Sequence, residues 1–393
     1  MAKRESKDPQ SSLSSTSPKF TDLKFIDPSS WLSHPGLKAM GFDKGRLKDW
    51  RAEGLSSSDA FPSRVIFESR EHYRVSTPLG EASAEPAGRL RLGDLLPVVG
   101  DWVWVDGLSP TDAAQQTCRI VGILPRRTSL SRKVPGEKTV EQVVAANVDT
   151  VFLVMGLDGD FNLRRLERFV VMIHESGASP VVVLTKEDLH DDPVEARLDA
   201  QTAAPGVPVY GVSSLQGKGL EPLQVFLEPG KTVAMVGSSG AGKSTLLNAL
   251  NGEDVMKTGA VRASDDRGRH TTTHRQLVLL KSGGLLVDNP GVREIQLWAE
   301  DSSLDEAFHD IAELARACRF RDCSHNDEPG CAVRRALDDG TLSPERFRNW
   351  QGLEKELRHL ESRRDVVTRR REDKKLGQLY KRVQEGKRKN RFR

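Results

Sequence analysis

The chain has no apolar run long enough to span a bilayer. Its first residues, Met1 to Ser17, are polar and serine-rich and lack the apolar centre of a signal peptide. These absences argue against a helical membrane protein and a secreted one, and predict a cytoplasmic chain behind a disordered leader. A strong net charge is missing as well: +3 over 393 residues gives no global case for a polyanionic partner. Cysteine is scarce. The four present do not form a disulfide framework, because Cys118 stands alone while Cys318, Cys323 and Cys331 crowd together. What is present is apolar content of 37%, enough at this length for two or three domain cores.

The texture changes along the chain. Trp31, Leu37, Met40, Phe42, Leu47 and Trp50 have spacing that suits short helices. Between Phe61 and Arg127 five strands are predicted, near 64–68, 72–75, 88–92, 101–105 and 118–124, with Gly, Pro and Asp between them. Five short strands in so few residues predict a small all-β barrel of the OB type, with Cys118 as a core residue. The basic stretch Pro125 to Lys133 reads as a linker, and its charge suits RNA. An α/β rhythm follows. Strands are predicted at 148–155, 180–184, 207–212, 231–236, 276–280 and 284–288, and a helix over Leu163 to Ser176, which implies a mostly parallel sheet. From Ala299 the chain is helical and charged, ending in the basic tail Arg363 to Arg393, a composition that suits an RNA partner.

The most informative stretch is Gly237-Ser238-Ser239-Gly240-Ala241-Gly242-Lys243-Ser244-Thr245. It reads G-x-x-x-x-G-K-S between an apolar strand and a helix start, the setting a phosphate-binding loop requires. Glycines let consecutive N–H groups turn inward on a phosphate chain, and the helix N-terminus adds its dipole. Lys243 is placed to reach the β- and γ-phosphates, and the Ser244 hydroxyl to ligand Mg²⁺.

Four further elements fall at predicted strand ends. Thr185-Lys186-Glu187-Asp188 matches the tetrapeptide that reads guanine, with Asp188 accepting from the base and Lys186 lying over the ring. Ser213-Ser214 resembles the loop whose backbone N–H meets the guanine O6. Asp288-Asn289-Pro290-Gly291 fits D-x-x-G: Asp288 serves the Mg²⁺ through water and the Gly291 N–H serves the γ-phosphate. Thr272 or Thr273, in Gly268 to His274, completes the metal shell. The order is rotated, because the guanine elements precede the phosphate loop. Val292 follows Gly291 and cannot hydrogen-bond a water, so His270, His274 or a partner must orient the nucleophile, and slow intrinsic hydrolysis is expected.

Cys318, Cys323, His325 and Cys331 make a closed Cys₃His set for a structural Zn²⁺. All four positions are filled, so the site is structural rather than catalytic. The metal would stabilise a small helical domain too poor in apolar residues to fold alone.

Together with Val99-Gly100-Asp101-Trp102-Val103, Ala145-Ala146-Asn147-Val148-Asp149 and Gly268 to Thr273, these motifs resemble the bacterial ribosome small-subunit-dependent GTPase A family over residues 61 to 360. The resemblance implies a multi-domain chain. Its parts are an OB-fold barrel over 61–130, a circularly permuted α/β P-loop GTPase domain over 145–298, and an α-helical zinc-binding domain over 299–393 that carries the basic tail. A leader over 1–25 and an extension over 26–60 precede them. It implies GTP hydrolysis stimulated by the small ribosomal subunit, rRNA binding, and a checkpoint role late in that subunit's maturation, by a monomer with no membrane partner. Asn289 and Thr185 depart from the family's usual threonine and asparagine; the usual asparagine tethers neighbouring loops, so the Thr185 change is expected to loosen nucleotide affinity. The competing reading is an RNA-binding module with a slow or vestigial GTPase serving another RNA. Intact Lys243, Ser244 and Asp288 speak against it.

Overall fold

Five strands, β1 (Phe61–Glu68), β2 (Tyr73–Thr77), β3 (Gly80–Pro86), β4 (Trp102–Asp106) and β5 (Thr117–Ile123), close on themselves in the order β1-β2-β3-β5-β4 with β4 returning to β1. This is the OB-type barrel. The computed structural model describes residues 28–54, 60–69, 72–91, 95–108, 117–133, 141–253, 275–288 and 301–358. Inward-facing Val65, Val75, Val103, Val105 and Ile120 are fully buried and fill the barrel, and Cys118 joins them with its thiol pushed up to about 12 by burial. The third strand lies earlier than the sequence suggests. Gly88–Arg91 is a helical turn with no buried residue, and β3 instead alternates buried Ala82 and Ala84 with exposed neighbours. Alanine carries little strand signal, so the pattern is faint in the sequence.

The extension folds as a 3₁₀ turn Pro28–Ser33 and helices Pro35–Ala39 and Lys44–Ala52, the last capped by Asp43, whose Oδ1 accepts from the Arg46 N–H at 2.7 Å. Trp31, Phe42 and Trp50 pack on the outside of the barrel against Trp102 and Leu124.

The stretch expected to be a linker is partly a ribbon: β6 (Ser129–Lys133) pairs antiparallel with β7 (Glu141–Ala146). Two of its arginines turn toward the protein. Arg126 grips the fully buried Asp101 at 2.7 and 2.8 Å, and Arg127 holds Asp43 at 2.7 and 2.9 Å.

The α/β sheet follows as β8 (Thr150–Gly156), β9 (Ser179–Thr185), β10 (Val209–Gly211), β11 (Thr232–Val236), β12 (Arg275–Leu279) and β13 (Leu285–Asp288), ordered β10-β9-β8-β11-β13-β12. All neighbours are parallel except β12, and β8 is buried along its whole length, as a parallel strand covered on both faces must be. Helix Leu163–Glu175 starts on an Asn162 cap and turns Leu166, Val170 and Ile173 onto one face of the sheet. Helix Lys243–Asn251 covers the other face with Leu246, Leu247 and Leu250. The barrel joins this sheet through β1 and β12, where Arg275 and Glu68 pair at 2.9 Å.

Beyond it lie helices Asp301–Ala307, His309–Arg316 and Ala332–Asp338, then a final helix over residues 344–358. Phe308, Ile311, Val333, Phe347 and Leu357 continue the core formed under helix Leu163–Glu175, so this C-terminal unit and the sheet share one apolar interior. No helix among the described residues is long and apolar enough to cross a membrane.

Candidate functional site

Because β8, β9, β10, β11 and β13 run parallel, their C-terminal ends meet at one edge, and the phosphate loop, the Thr185–Asp188 tetrapeptide, the Ser213-Ser214 loop and Asp288 lie there. The phosphate loop leaves β11 at Gly237, where a Cβ would lie 2.1 Å from the Val154 carbonyl oxygen of β8; only glycine permits that approach. The loop wraps through Ser238, Ser239, Gly240, Ala241 and Gly242 into helix Lys243–Asn251, which carries Ser244 and Thr245 in its first turn. The Lys243 ammonium lies over the loop and donates to the Gly237 carbonyl at 2.7 Å and to that of Ser238. A cation is therefore held above a ring of inward backbone groups at a helix N-terminus, an anion-binding arrangement.

Thr185, buried at the end of β9, donates its hydroxyl to the Ala241 carbonyl at 2.6 Å. The Thr185–Asp188 tetrapeptide and the phosphate loop are thus joined directly, through a threonine hydroxyl where the family's usual residue is asparagine. Lys186 takes the left-handed conformation, with φ 60°, and its ammonium pairs with Asp158, two residues beyond the end of β8. The Glu187 N–H donates to the Val212 carbonyl at 3.2 Å, holding the tetrapeptide against the Ser213-Ser214 loop. That loop is braced by a reciprocal Ser213–Lys218 backbone pair, and the Ser214 hydroxyl is buried without a hydrogen-bond partner among the described residues. Asp188 is exposed on the same edge. Sequence reasoning missed Asp158; its signal was an acid just past a buried strand that ends beside β9.

Asp288 ends β13, next to the phosphate-loop strand, and its backbone pairs with Gln276. His270, Thr272, Thr273, His274 and Gly291 lie outside the described residues.

The second site is the cysteine cluster. The Sγ atoms of Cys318, Cys323 and Cys331 and one ring nitrogen of His325 lie within 4.8 Å of one another. Cys318 Sγ is 3.8 Å from Cys331 Sγ and 3.6 Å from His325 Nδ1, and Cys331 Sγ is 3.5 Å from that nitrogen. A tetrahedral ion with sulfur at about 2.3 Å and nitrogen at about 2.0 Å sets edges of roughly 3.8 and 3.6 Å. The donor set therefore fits a four-coordinate metal. Backbone N–H groups point at the sulfurs: Ala332 donates to Cys318 at 3.3 Å and Arg334 to Cys331 at 3.4 Å. Burial opposes the Cys318 thiolate, but the Val333 and Ala332 N–H groups outweigh it and its pKa is lowered. His325 has φ 61° and packs against Trp350, its ring centroid 5.7 Å away.

The motifs Val99–Val103 and Ala145–Asp149 meet where the barrel joins the sheet. Asn147, itself at φ 57°, takes the Arg127 N–H on Oδ1 at 3.1 Å and donates to the Gly100 carbonyl at 3.0 Å. Gly100 sits so close to the Ala146 carbonyl that a Cβ would lie 2.1 Å from it.

A family model described as RsgA GTPase matches residues 123–298. The small ribosomal subunit biogenesis GTPase RsgA of Opitutus terrae is 44% identical over 335 residues, covering 83% of this chain and 91% of that one. The protein of the same name from Xanthomonas axonopodis pv. citri is 42% identical, over 88% of this chain and 91% of its own. Among solved structures, YjeQ from Thermotoga maritima matches with a TM-score of 0.57 at 28% identity, over 76% of this chain and 98% of that one. YloQ, described as a circularly permuted GTPase, matches with a TM-score of 0.56 at 25% identity, over 76% of this chain and 96% of its own. With the rotated strand-end motifs and the metal cluster on one chain, these likenesses establish that it belongs to the RsgA GTPase family.

Proposed function

We propose that the protein binds and hydrolyses GTP on the small ribosomal subunit, docking in the GTP form during late maturation and leaving after hydrolysis. The observation that carries the reading is the Thr185–Ala241 hydrogen bond, which makes the guanine tetrapeptide and the phosphate loop one site. In this reading Asp188 accepts from the guanine N1–H and N2–H₂, and the Lys186 stem covers the base. Lys243 and the loop N–H groups hold the β- and γ-phosphates. Ser244 and Asp288 would hold Mg²⁺, which supplies charge neutralisation of the phosphates when bound. Gly291 and one of Thr272 and Thr273 are assigned to the γ-phosphate side, and His270 or His274 to the attacking water.

The Cys₃His cluster is assigned to zinc, because three thiolates and an imidazole at tetrahedral spacing select it over harder cations. All four donors are protein side chains, so its role is structural. The chain is read as a barrel over 61–130, a GTPase domain over 145–298 and a zinc-binding helical domain over 299–393, in a cytoplasmic, monomeric form in contact with rRNA. The test is GTP turnover by the full chain with and without purified small subunits. Stimulation is expected, and turnover that is unchanged or reduced by subunits counts against the reading.

A further inference from the structure

At the opposite edge of the α/β sheet from the nucleotide motifs lies a cavity of about 270 Å³. The extension, the barrel and the sheet all contribute walls. Among its lining are Lys38, Arg46, Arg64, Arg127 and Lys231. The only carboxylates in that lining are Asp43 and Asp149, and both are engaged. Asp43 is held by Arg127, and Asp149 accepts the Thr232 N–H at 2.8 Å.

Arg64 is the unusual member. It is 2% exposed, yet every acceptor it meets is neutral: the carbonyls of Gly100, Met40 and Asn147, and the Thr232 hydroxyl at 2.8 Å. Burial lowers its pKa to about 10, so it remains charged at neutral pH. Arg46, also 2% exposed, shares a single carboxylate, Asp49, at 3.3 Å. Lys38 and Lys231 are exposed at the cavity and form no ion pair among the described residues. Asp149 and Asp101 are the opposing charges nearest Arg64, and neither hydrogen-bonds it; clustered cations around a low-dielectric recess focus a positive potential into it.

We propose that this cavity is a second anion site, which takes a small phosphate-bearing anion at the junction of the three units and is separate from the phosphate loop. The five cations of the lining, Lys38, Arg46, Arg64, Arg127 and Lys231, exceed its two carboxylates, Asp43 and Asp149, which favours a multivalent anion over a single carboxylate. Lys38 and Lys231 supply mobile ammonium donors that can close on a tetrahedral group. Arg64 and Arg46 act from beneath through their field, because their own donors are already used. The free anion is the form proposed, because a recess of about 270 Å³ walled by three units matches one small anion rather than a continuous backbone. A bound anion would tie Lys38 of the extension to Lys231 of the sheet and so stiffen the arrangement of barrel and sheet.

The test is isothermal titration of inorganic phosphate into the full chain, with GDP and magnesium saturating so that the phosphate loop is occupied, and with chloride balancing ionic strength. One saturable phosphate per chain is expected, together with a thermal midpoint raised by roughly 2–5 °C at saturating phosphate. The double variant Lys38→Glu, Lys231→Glu should lose at least tenfold in phosphate affinity while keeping its basal GTP turnover, which certifies the fold. No saturable binding in the GDP-loaded protein, or unchanged affinity in the double variant, overturns the proposal. Displacement of the phosphate by a short RNA without terminal phosphates would assign the site to backbone phosphates and overturn the free-anion form.

Discussion

Arg64 and Arg346 both fill a junction between units of this chain, and their surroundings differ. Arg346, 7% exposed, comes from the final helix and meets Asp310 through two hydrogen bonds of 2.7 Å and Glu167 of helix Leu163–Glu175 at 2.9 Å. It also donates to the carbonyls of Ala203 and Ala307. Burial raises the Glu167 pKa and Arg346 reverses it only in part; at Asp310 the paired hydrogen bonds outweigh burial and hold the carboxyl below its usual value. Arg64 makes four hydrogen bonds, none of them to a carboxylate. One junction is electrostatically closed and the other keeps a surplus of positive charge beside a cavity. The first reads as a permanent weld between the sheet and the C-terminal unit that carries the cysteine cluster, the second as a joint that an anion can tighten.

Metal removal should give the largest effect, because the C-terminal unit shares its core with the sheet through Cys331 and Val333. Chelation is expected to expose Cys318, Cys323 and Cys331 to alkylation while Cys118 stays silent inside the barrel, as counted by mass spectrometry. Labelling of Cys118 at the same rate would mean that both junctions fail together. Next, Arg346→Ala strands the buried carboxylate of Glu167 and takes the partner from the part-exposed Asp310, and should cost about 3 kcal/mol, seen in urea unfolding of the C-terminal helices. Arg64→Met strands only neutral acceptors and should cost less, about 1–3 kcal/mol. Equal losses in the two variants would break the contrast. The smallest effect concerns His174, paired with Glu306 at 3.1 Å between helices Leu163–Glu175 and Asp301–Ala307. Burial lowers its pKa, with Glu306 pulling the other way. The unfolded chain therefore takes up this proton first, and stability is lost as pH falls below about 6.5 toward the folded value. His174→Gln should flatten that part of the pH–stability curve; an unchanged slope would remove His174 from the junction's electrostatics.

Much of this arrangement was legible in the sequence, for physical reasons that also mark where legibility ends. β8 and β9 are continuous apolar runs because both their faces are covered, and such runs are visible without a structure. The phosphate loop and the cysteine cluster were legible because their chemistry fixes residue type and spacing locally. The third barrel strand was not, since its inward side chains are Ala82 and Ala84. The ribbon at Ser129–Lys133 was hidden because its strand state depends on a partner beyond residue 140 and not on its own polar residues. Arg64 and Arg346 could not be singled out, because their partners lie as far away as Thr232 and Glu167 along the chain. The placement of Lys186 by Asp158 was likewise a matter of strand adjacency.

The account rests on a single guanine site assembled from rotated strand ends. Nucleotide preference of the Asp188→Asn variant tests it most directly, by titrating GDP and XDP into the variant and the unaltered protein. The expected result is a loss of at least about tenfold in GDP affinity with a gain for XDP, because the amide can donate where the carboxylate could only accept. Unchanged GDP affinity in the variant, or equal binding of ADP and GDP by the unaltered chain, would contradict it.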